Sequence, residues 1–338
     1  MGIRMRHHRR KTKIWVLLLF VIVLAAGFVG LSLWERAEDR KRTSDLTDPE
    51  IEKITLESDG VTYQLRDDIT TYLIMGTDET LESEFRYEDK NLNNKQADFI
   101  MLMIADRTNE EYSLLHLNRD TYMEIRRLDS NGNPDGFVTA HLNNAHSFGS
   151  GGKDSCRNVA EAVSRLLCGV PVDHYYAVTM EAIPVLNDLV GGVTVHIEDD
   201  LTAMDPDFVQ GRDVTLHGQQ ALRFVRIRTT VTDGTNINRM ARQREYITAL
   251  YDRLSAKLRA SDRFAITLAD TLDDYATSDL ITDELAQLAE RLDGYRFNGI
   301  ETVPGETRMG EKYIEFYPDE EALRAQVIKL FFEPESTN

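Results

Sequence analysis

Residues 99–105 read FIMLMIA, a continuous apolar run in the first third of the chain. A polar stretch at residues 106–110 separates this run from a second apolar segment at residues 112–117. Two such runs joined by a short polar loop predict a β-hairpin. Neither run alternates with polar residues, so both faces of the predicted sheet are expected to be covered.

Strand-like and helix-like segments alternate on both sides of this hairpin. An earlier strand is predicted at residues 71–75, and a turn-rich loop occupies residues 131–136. Further strands are predicted at residues 174–178, 193–197 and 300–303, and helices at residues 156–168, 180–189, 218–224, 239–258, 261–276, 282–292 and 318–332. This alternation indicates an α/β sandwich of three layers.

The N-terminus has the pattern of a membrane anchor. Residues 14–34 are apolar and uncharged, and a helix of that length, at ~1.5 Å per residue, spans a bilayer core of roughly 30 Å. Basic residues crowd residues 1–13, which predicts a cytoplasmic N-terminus and an extracytoplasmic remainder at the cell membrane. A cleaved signal peptide is the alternative, but Ala25, Ala26 and Gly27 are followed by more apolar residues instead of a cleavage site.

The rest of the chain has the composition of a single globular domain. Apolar residues make up 42% of the 338 residues, which is ordinary for a protein with a core, and no internal repeat is evident. The predicted organisation is a cytoplasmic tail at residues 1–13, a transmembrane helix at 14–34, a charged stalk at 35–61, one catalytic domain at 62–333 and a tail at 334–338. Cys156 and Cys168 stand at the two ends of a predicted helix, which separates their Cα atoms by ~18 Å, beyond the reach of a disulfide. We therefore expect two free, mostly buried thiols.

Six arginines lie within residues 223–244, although the whole chain has a net charge of −18. That stretch contains a single acid, Asp233. Guanidinium groups bind phosphate oxygens in pairs, so the cluster indicates a local site for a small polyanion. A nucleic-acid groove would need a broader basic face, which argues against nucleic acid as a partner. The arginines are Arg223, Arg226, Arg228, Arg239, Arg242 and Arg244.

The spacing of these arginines predicts how they converge. Arg226 and Arg228 would point to one side if the chain there is extended. Arg239 and Arg242 lie three apart at the start of a predicted helix, with Gln243 beside them and free N–H groups nearby that attract anions. The alternative is a solvated surface on which the arginines pair with local acids.

Acidic residues at strand ends complete the candidate site. Arg119 and Asp120 follow the apolar strand at residues 112–117, where they can either hold phosphate or form a strand-ending salt bridge. Asp78 follows the first strand and Asp98 begins the next, so the two carboxylates can share a Mg²⁺ ion or serve as a turn former and a strand cap. The eight histidines are scattered, and the sequence contains no zinc, Walker or nucleophile-elbow motif.

Together these segments resemble the LytR–CpsA–Psr (LCP) family of cell-envelope proteins. The resemblance covers most of residues 70–250 and depends on the order and spacing of several short motifs behind one N-terminal anchor. The motifs are YLIMGTD at residues 72–78, LHLNRDT at 115–121, GVPVDHYY at 169–176, LNDLVGGV at 186–193, GQQAL at 218–222 and the arginine region.

The resemblance implies an α/β/α sandwich with a central mixed sheet and a long apolar groove for a polyprenyl chain. It implies transfer of a glycopolymer from a polyprenyl pyrophosphate carrier onto peptidoglycan through a phosphodiester, and leaves teichoic acid, capsule and other wall glycans open as the polymer. The implied pyrophosphate-binding residues are Arg119, Arg226, Arg228, Arg239, Arg242 and Gln243, the implied Mg²⁺ ligands are Asp78 and Asp98, and the implied catalytic residues are Arg119, Asp120, Arg226 and Arg228.

Two positions depart from the family pattern. Gln96 and Ala97 stand before Asp98 where the family often has arginine and serine, and Asn236 stands where an aspartate is common. Asn236 cannot act as a base. Either Asp78 or Asp120 could assist removal of the acceptor proton. The alternative functions are a non-catalytic envelope regulator or lipid-binding scaffold and a polyprenyl pyrophosphate hydrolase.

Overall fold

The structure, a computed structural model, describes most of the chain beyond residue 53. The described residues are 54–79, 93, 95–227, 236–261, 264, 267–268, 271–281, 284, 288, 291–292 and 294–335. The expected cytoplasmic tail, transmembrane helix and most of the expected stalk lie outside these ranges. None of the helices within them is long and apolar enough to cross a bilayer.

The described elements alternate along the chain as expected for an α/β protein. The strands are β1 (Thr55–Ser58), β2 (Val61–Leu65), β3 (Ile69–Glu79), β4 (Lys95–Asp106), β5 (Glu111–Leu117), β6 (Tyr122–Leu128), β7 (Pro134–His141), β8 (His174–Thr179), β9 (Val193–His196), β10 (Asp213–Leu216), β11 (Ala276–Ser278), β12 (Arg296–Thr302), β13 (Gly305–Met309), β14 (Ile314–Pro318) and β15 (Phe332–Pro334). The helices are α1 (Asn144–Ser147), α2 (Gly152–Leu166), α3 (Ala182–Leu189), α4 (Gln219–Arg226), α5 (Asn236–Ala260) and α6 (Glu320–Phe331), with a 3₁₀ turn at Asp273–Tyr275.

Six of the described strands form a mixed central sheet in the order β11-β8-β3-β4-β5-β12. Strand β3 runs parallel to β8 and antiparallel to β4, while β5 runs antiparallel to β4 and parallel to β12. The predicted β4–β5 hairpin is confirmed, since Ile100 lies opposite Leu117 and Asp106 lies opposite Glu111. The carboxyl ends of β3 and β5 therefore lie beside the amino end of β4.

Helices cover both faces of this sheet, which explains why its strands are continuous apolar runs. On β3, Tyr72 and Ile74 belong to one core, whereas Leu73 and Met75 belong to the other. Residues of α3, α4 and α5 complete the first core, and residues of α2 and α6 complete the second. The predicted α/β architecture with a mixed sheet between helical layers is confirmed.

Smaller sheets surround the central one. Strands β1, β2 and β15 form a three-stranded sheet in which Phe332 lies opposite Leu65. This sheet includes residues 55–58, which the sequence analysis assigned to the end of the stalk. The hairpins β6–β7 and β13–β14 lie next to each other beyond the end of β5, where Thr121 forms an isolated bridge with Phe316.

Several predicted element boundaries differ from those observed. Helix α2 ends before Cys168, because that residue adopts the left-handed conformation with φ of 59°. Pro318 belongs to β14, and α6 begins after Asp319, whose carboxylate accepts the Ala322 N–H at 3.0 Å. Both cysteines are free, with Cys156 buried and Cys168 half-buried. The helix predicted at 261–276 is wrong at its end, because Asp273–Tyr275 form a 3₁₀ turn and Ala276 begins β11. The helix predicted at 282–292 falls largely outside the described residues.

Candidate active site

Two carboxylates lie at adjacent strand ends because the β3–β4 ladder is irregular there. Gly76 pairs with Phe99 and Thr77 pairs with Ala97, so Asp98 is the extra residue of a β-bulge. A bulge redirects a side chain at the edge of regular pairing. Asp78 lies opposite Gln96, one step further along the same ladder. The two acids therefore lie near each other across the sheet's end.

Arg119 connects this carboxylate pair to the end of β5. Its Nη1 forms an ion pair with Asp98 Oδ1, and its Nε donates to Asp120 Oδ1 at 3.1 Å. The side chain is buried, with 4% of its surface exposed. Burial alone would lower the pKa of Arg119, but the Asp98 and Asp120 carboxylates raise it overall. The fold therefore stabilises this guanidinium in its charged form.

Arg226 reaches the same region from the last turn of α4. Its Nη2 forms an ion pair with Asp78 Oδ2, and about a third of its side chain remains exposed. The helix was expected to end at residue 224, but it continues through Arg226. The condition of an extended chain, under which Arg226 and Arg228 would point to one side, is therefore not met at Arg226. A cation at a helix C-terminus is favoured by the helix dipole.

Arg239, in the first turns of α5, is the least satisfied charge of the group. It is 3% exposed, and its Nη1 approaches Asp98 Oδ2 at 3.9 Å. Its Nε and Nη2 have no hydrogen-bond partner among the described residues. Burial, together with the neighbouring Arg119, lowers the pKa of Arg239 to about 10. A buried cation with unused donors is ready to bind an anion.

Arg242 and Gln243 hold α5 against the end of α4. Arg242 Nη2 donates to the Ile227 carbonyl at 2.5 Å, and its Nη1 lies 3.8 Å from Asp199 Oδ2. Gln243 Nε2 donates to the Val225 carbonyl at 3.3 Å. Both side chains are buried. Burial lowers the pKa of Arg242 despite Asp199.

An apolar cavity of about 90 Å³ adjoins these charges, between the sheet and the helices α3 and α5. Gln243 lines it, and so does Gly76, two residues before Asp78. A Cβ atom at Gly76 would lie 3.0 Å from both Met180 Cε and Phe99 Cβ, so the glycine keeps this end of the cavity open. The other lining residues include Ile74, Ala182, Leu186, Val225, Tyr246, Ile247 and Leu250.

The structure thus brings most of the sequence-predicted site residues together. Linked ion pairs and adjacent strand ends connect six of them, which we call the arginine–carboxylate cluster: Asp78, Asp98, Arg119, Asp120, Arg226 and Arg239. Arg242 and Gln243 lie beside this cluster, as described above. Arg223 does not join it, because its Nη2 pairs with Asp205 at 2.8 Å. Arg228 and Asp233 lie outside the described residues.

Five amide side chains that were given no positive role from the sequence also support the site. Asn236 Nδ2 donates to Asn118 Oδ1 at 2.8 Å, and the same oxygen accepts the backbone N–H of Asp120 at 3.0 Å. Gln96 bridges β4 to α1, since it donates to Asn144 at 2.9 Å and accepts from Asn143 at 3.0 Å. In the sequence, Gln96 and Asn236 were visible only as departures from the family pattern. The fold explains them, because each forms hydrogen bonds to other amide side chains.

The carboxylates of Asp78 and Asp98 have the chemistry of a magnesium site. Among the described residues, no group of three or more histidine, cysteine or acidic side chains is placed to hold a metal ion. Mg²⁺ nevertheless needs only one or two carboxylates when phosphate oxygens and water supply the rest. Two hard oxygen donors beside unused guanidinium donors therefore fit Mg²⁺ arriving with a phosphorylated ligand.

Comparison with known proteins identifies the fold and the family. The protein gbs0355 of Streptococcus agalactiae superimposes with a TM-score of 0.60 over 78% of this chain and 87% of that structure, at 21% identity. A relative from Oceanobacillus iheyensis, named polyisoprenyl-teichoic acid–peptidoglycan teichoic acid transferase TagU, is 28% identical over 325 residues, which is 90% of this chain and 89% of that protein. The Bacillus subtilis protein of the same name is 27% identical over 78% of each chain.

The family model matches this chain as well. The model described as the LytR_cpsA_psr family covers residues 31–330, which include every residue of the arginine–carboxylate cluster. This chain belongs to the LytR_cpsA_psr family.

Proposed function

We propose that this protein is a membrane-anchored phosphotransferase of the cell envelope. In this proposal it moves a glycopolymer from a polyprenyl pyrophosphate carrier onto peptidoglycan and joins them through a phosphodiester. The relatives from Oceanobacillus iheyensis and Bacillus subtilis carry names that describe such a transfer of teichoic acid. The polymer transferred by this chain is left open within the class of wall glycans.

One observation carries the proposal: three arginines and three carboxylates meet beside an apolar cavity. A polyprenyl pyrophosphate has the matching halves, a doubly phosphorylated head and an apolar tail. Gln243 and Gly76 line the cavity close to the arginine–carboxylate cluster, so the head and the part of the tail next to it can be bound at once. The guanidinium donors of Arg239 that lack partners supply hydrogen bonds for the phosphate oxygens.

The chemistry follows from charge neutralisation and positioning. A sugar hydroxyl of peptidoglycan attacks the phosphorus that bears the glycopolymer, a new P–O bond forms, and the bond to the carrier phosphate breaks. Arg119, Arg226 and Arg239 neutralise the charge that develops on the phosphate oxygens and on the leaving polyprenyl phosphate. Asp120 keeps Arg119 in place through the 3.1 Å contact with its Nε. Either Asp78 or Asp120 accepts the proton of the attacking hydroxyl in this scheme.

Asp78 and Asp98 would hold Mg²⁺ in the loaded enzyme. When bound, the ion would add positive charge beside the phosphates. Asp98 pairs with Arg119 and Asp78 pairs with Arg226, so these guanidinium groups would divide their N–H donors between carboxylate and phosphate oxygens when a pyrophosphate binds. Arg228 is included in the proposed pyrophosphate site on the basis of its sequence position.

Placement at the cell membrane is part of the proposal. The apolar segment at residues 14–34 and the basic residues before it support a single-pass anchor with a cytoplasmic N-terminus. Such an anchor would keep the domain next to the membrane that contains its lipid-linked substrate. The acidic net charge argues against nucleic acid as a partner. The names of the relatives support a lipid-linked glycan and peptidoglycan as partners.

Purified full-length protein, incubated with a polyprenyl pyrophosphate-linked glycan, peptidoglycan and Mg²⁺, tests the proposal. Polymer recovered covalently on peptidoglycan supports transfer. Release of free phosphorylated glycan without attachment would indicate a hydrolase, and unchanged substrate despite binding would indicate a regulator or scaffold. Both of those outcomes contradict the proposal.

The matched variants are Arg226→Ala and Arg253→Ala. Arg226→Ala removes a guanidinium from the arginine–carboxylate cluster, and loss of one such donor typically reduces the rate about 100-fold or more. Arg253 is an exposed arginine of α5 that lies outside this cluster, so Arg253→Ala should retain activity. Equal activity of the two variants would count against the proposed site.

A further inference from the structure

Four aromatic rings lie together on the side of Arg119 and Asp120 that the hairpins β6–β7 and β13–β14 cover. Tyr122 lies opposite His141 in the β6–β7 ladder, with their ring centroids 5.8 Å apart. Tyr122 is also 6.1 Å from Tyr317, and His141 is 6.2 Å from Tyr313. The three tyrosines are half-buried and His141 is buried. We call these four residues the aromatic cluster.

Backbone hydrogen bonds fix the aromatic cluster against the catalytic segment. The Leu142 N–H donates to the Thr121 carbonyl at 2.8 Å, and the Phe316 N–H donates to the Asp120 carbonyl at 2.8 Å. Tyr122 follows Thr121, His141 precedes Leu142 and Tyr317 follows Phe316 in sequence. Each of these three residues is therefore the sequence neighbour of a residue whose backbone hydrogen bond holds the segment that carries Arg119 and Asp120.

Polar groups are interspersed among these rings. The Tyr317 hydroxyl donates to Glu315 Oε2 at 2.5 Å, and Arg308 lies over the Tyr317 ring at 5.1 Å. His141 Nε2 is buried and has no hydrogen-bond partner among the described residues. The apolar cavity proposed for the lipid tail is lined by a different set of residues. Half-buried aromatic rings mixed with charged and polar groups offer a ligand both apolar faces and hydrogen-bonding groups, unlike a purely apolar lipid site.

We propose that the aromatic cluster is a subsite for a pyranose sugar next to the reacting phosphate. Pyranose rings have a C–H face that packs on tyrosine and hydroxyl groups that bond to carboxylate, imidazole and phenol groups. This inference rests on the proposed function, in which the phosphorus joins two sugars. The bound pyranose is therefore either a sugar of the peptidoglycan acceptor or the first sugar of the polymer on the carrier.

Calorimetric titration of the full-length protein with three probes tests the subsite. The probes are a muramidase-released disaccharide-peptide of peptidoglycan, a polyprenyl pyrophosphate that carries one sugar, and sugar-free geranylgeranyl pyrophosphate. Truncation of an aromatic contact in a binding site typically costs on the order of 1 kcal/mol. Tyr313→Ala and Tyr122→Ala should therefore weaken binding of at least one sugar-bearing probe about fivefold. Binding of geranylgeranyl pyrophosphate should not change.

Two controls separate ring contact from altered folding. Tyr313→Phe keeps the ring, so we expect it to bind the sugar-bearing probes within about twofold of the wild type. Phe137→Ala removes an exposed ring from β7, the strand that also carries His141, and should not affect any probe. If the alanine variants lose affinity for the disaccharide-peptide, the subsite binds the acceptor sugar of peptidoglycan. If they lose affinity only for the lipid-linked sugar, the subsite binds the first sugar of the polymer on the carrier.

The inference is overturned if both alanine variants bind the two sugar-bearing probes like the wild type. It is also overturned if geranylgeranyl pyrophosphate loses affinity to the same extent, because the rings would then support only the phosphate site. These titrations need no turnover, so their result is independent of whether the transfer reaction itself is detected. Failure of the proposed function and failure of the sugar subsite can therefore be distinguished.

Discussion

At the scale of single residues, the two buried arginines next to Asp98 differ in how well the fold satisfies them. Arg119 has two carboxylate partners, and these raise its pKa despite burial. Arg239 approaches one carboxylate at 3.9 Å, next to another arginine, and its pKa is lowered to about 10. The charged form is therefore favoured by the fold at Arg119 and disfavoured at Arg239. The disfavoured charge is the one with hydrogen-bond donors available for a ligand.

This contrast predicts opposite effects of removing the two guanidinium groups. Arg239→Met should leave the free energy of unfolding unchanged or raise it by about 1 kcal/mol, because an unsatisfied buried charge is replaced by an apolar side chain. Arg119→Met should lower it by about 3 kcal/mol, because Asp98 and Asp120 lose their main partner. Urea denaturation followed by circular dichroism measures both changes. Equal destabilisation by the two substitutions would contradict the argument.

Asn236 is a second residue whose role follows from its contacts. Because the Asp120 N–H requires an oxygen as acceptor, it fixes the amide orientation of Asn118, and Asn236 must then donate its Nδ2. Asn236→Asp would place a carboxylate oxygen against the Asn118 oxygen. We expect this change to lower the free energy of unfolding by about 1–3 kcal/mol, measured by urea denaturation.

A neighbouring position in α5 provides a charge-matched control for Asn236→Asp. Ile237 is 47% exposed, and an added acid in the first turn of a helix is favoured by the helix dipole. Ile237→Asp should therefore have little effect on stability. If Asn236→Asp proves as mild as Ile237→Asp, the amide pair does not hold the catalytic segment.

At the scale of elements, the packing of α3 and α5 over β3 leaves the apolar cavity next to the arginine–carboxylate cluster. Ala182 lines this cavity from α3 and is 2% exposed. The short side chain leaves space that a longer residue could fill. The cavity is thus a property of helix placement and of small residues at contact points, such as Ala182 and Gly76.

Ala182→Leu tests whether the cavity binds the lipid tail. The added methylene groups can occupy existing space, so the change in unfolding free energy should stay within about 1.5 kcal/mol. Affinity for geranylgeranyl pyrophosphate should fall about tenfold, which calorimetric titration measures. Val185→Leu enlarges an exposed residue of the same helix, at 37% exposure, and should leave affinity unchanged. Wild-type affinity of Ala182→Leu would exclude this cavity as the tail site.

At the scale of the whole molecule, two buried neutral histidines make the fold sensitive to acid. Burial, with Arg244 and Arg239 nearby, lowers the pKa of His116 to about 3, and burial lowers the pKa of His146 to about 4. Each lies below the ordinary value of 6.5, so the unfolded chain binds protons first as the pH falls. Stability should therefore decrease as the pH drops below about 6.5.

His116→Leu tests the acid sensitivity. Between about pH 7 and pH 5 this variant should lose about 2 kcal/mol less stability than the wild type, because it removes one group that protonates on unfolding. Urea denaturation at each pH measures the difference. The pKa of His196 is shifted in the opposite direction, since its hydrogen bond to Asp213 raises it. His196→Asn should therefore not reduce the acid sensitivity. A pH dependence of His116→Leu equal to that of the wild type would contradict this prediction.

The sequence was sufficient for the parts of the molecule that depend on local pattern. Apolar runs such as residues 99–105 predicted the buried strands, and the resemblance to the LCP family implied that Arg119, Arg226 and Arg239 share one site. Short strands such as β1 and β15 were missed, because mixed polar residues at a sheet's edge carry no clear periodicity. The bulge at Asp98 could not be predicted, because it depends on pairing with another strand.

The three-stranded sheet β1–β2–β15 places the start and the end of the described fold on either side of β2. The Leu65 N–H donates to the Ile54 carbonyl at 2.9 Å, and the Glu335 N–H donates to the Thr62 carbonyl at 2.9 Å. A mechanical pull on the segment before Ile54 would therefore load β2 and, through it, the strand that leads out of the fold. Because β1 and β15 both run antiparallel to β2, the chain enters β1 at the Leu65 end of β2 and leaves β15 toward the Val61 end. If the preceding segment tethers the domain, a tag attached after Glu335 would therefore point away from the tether.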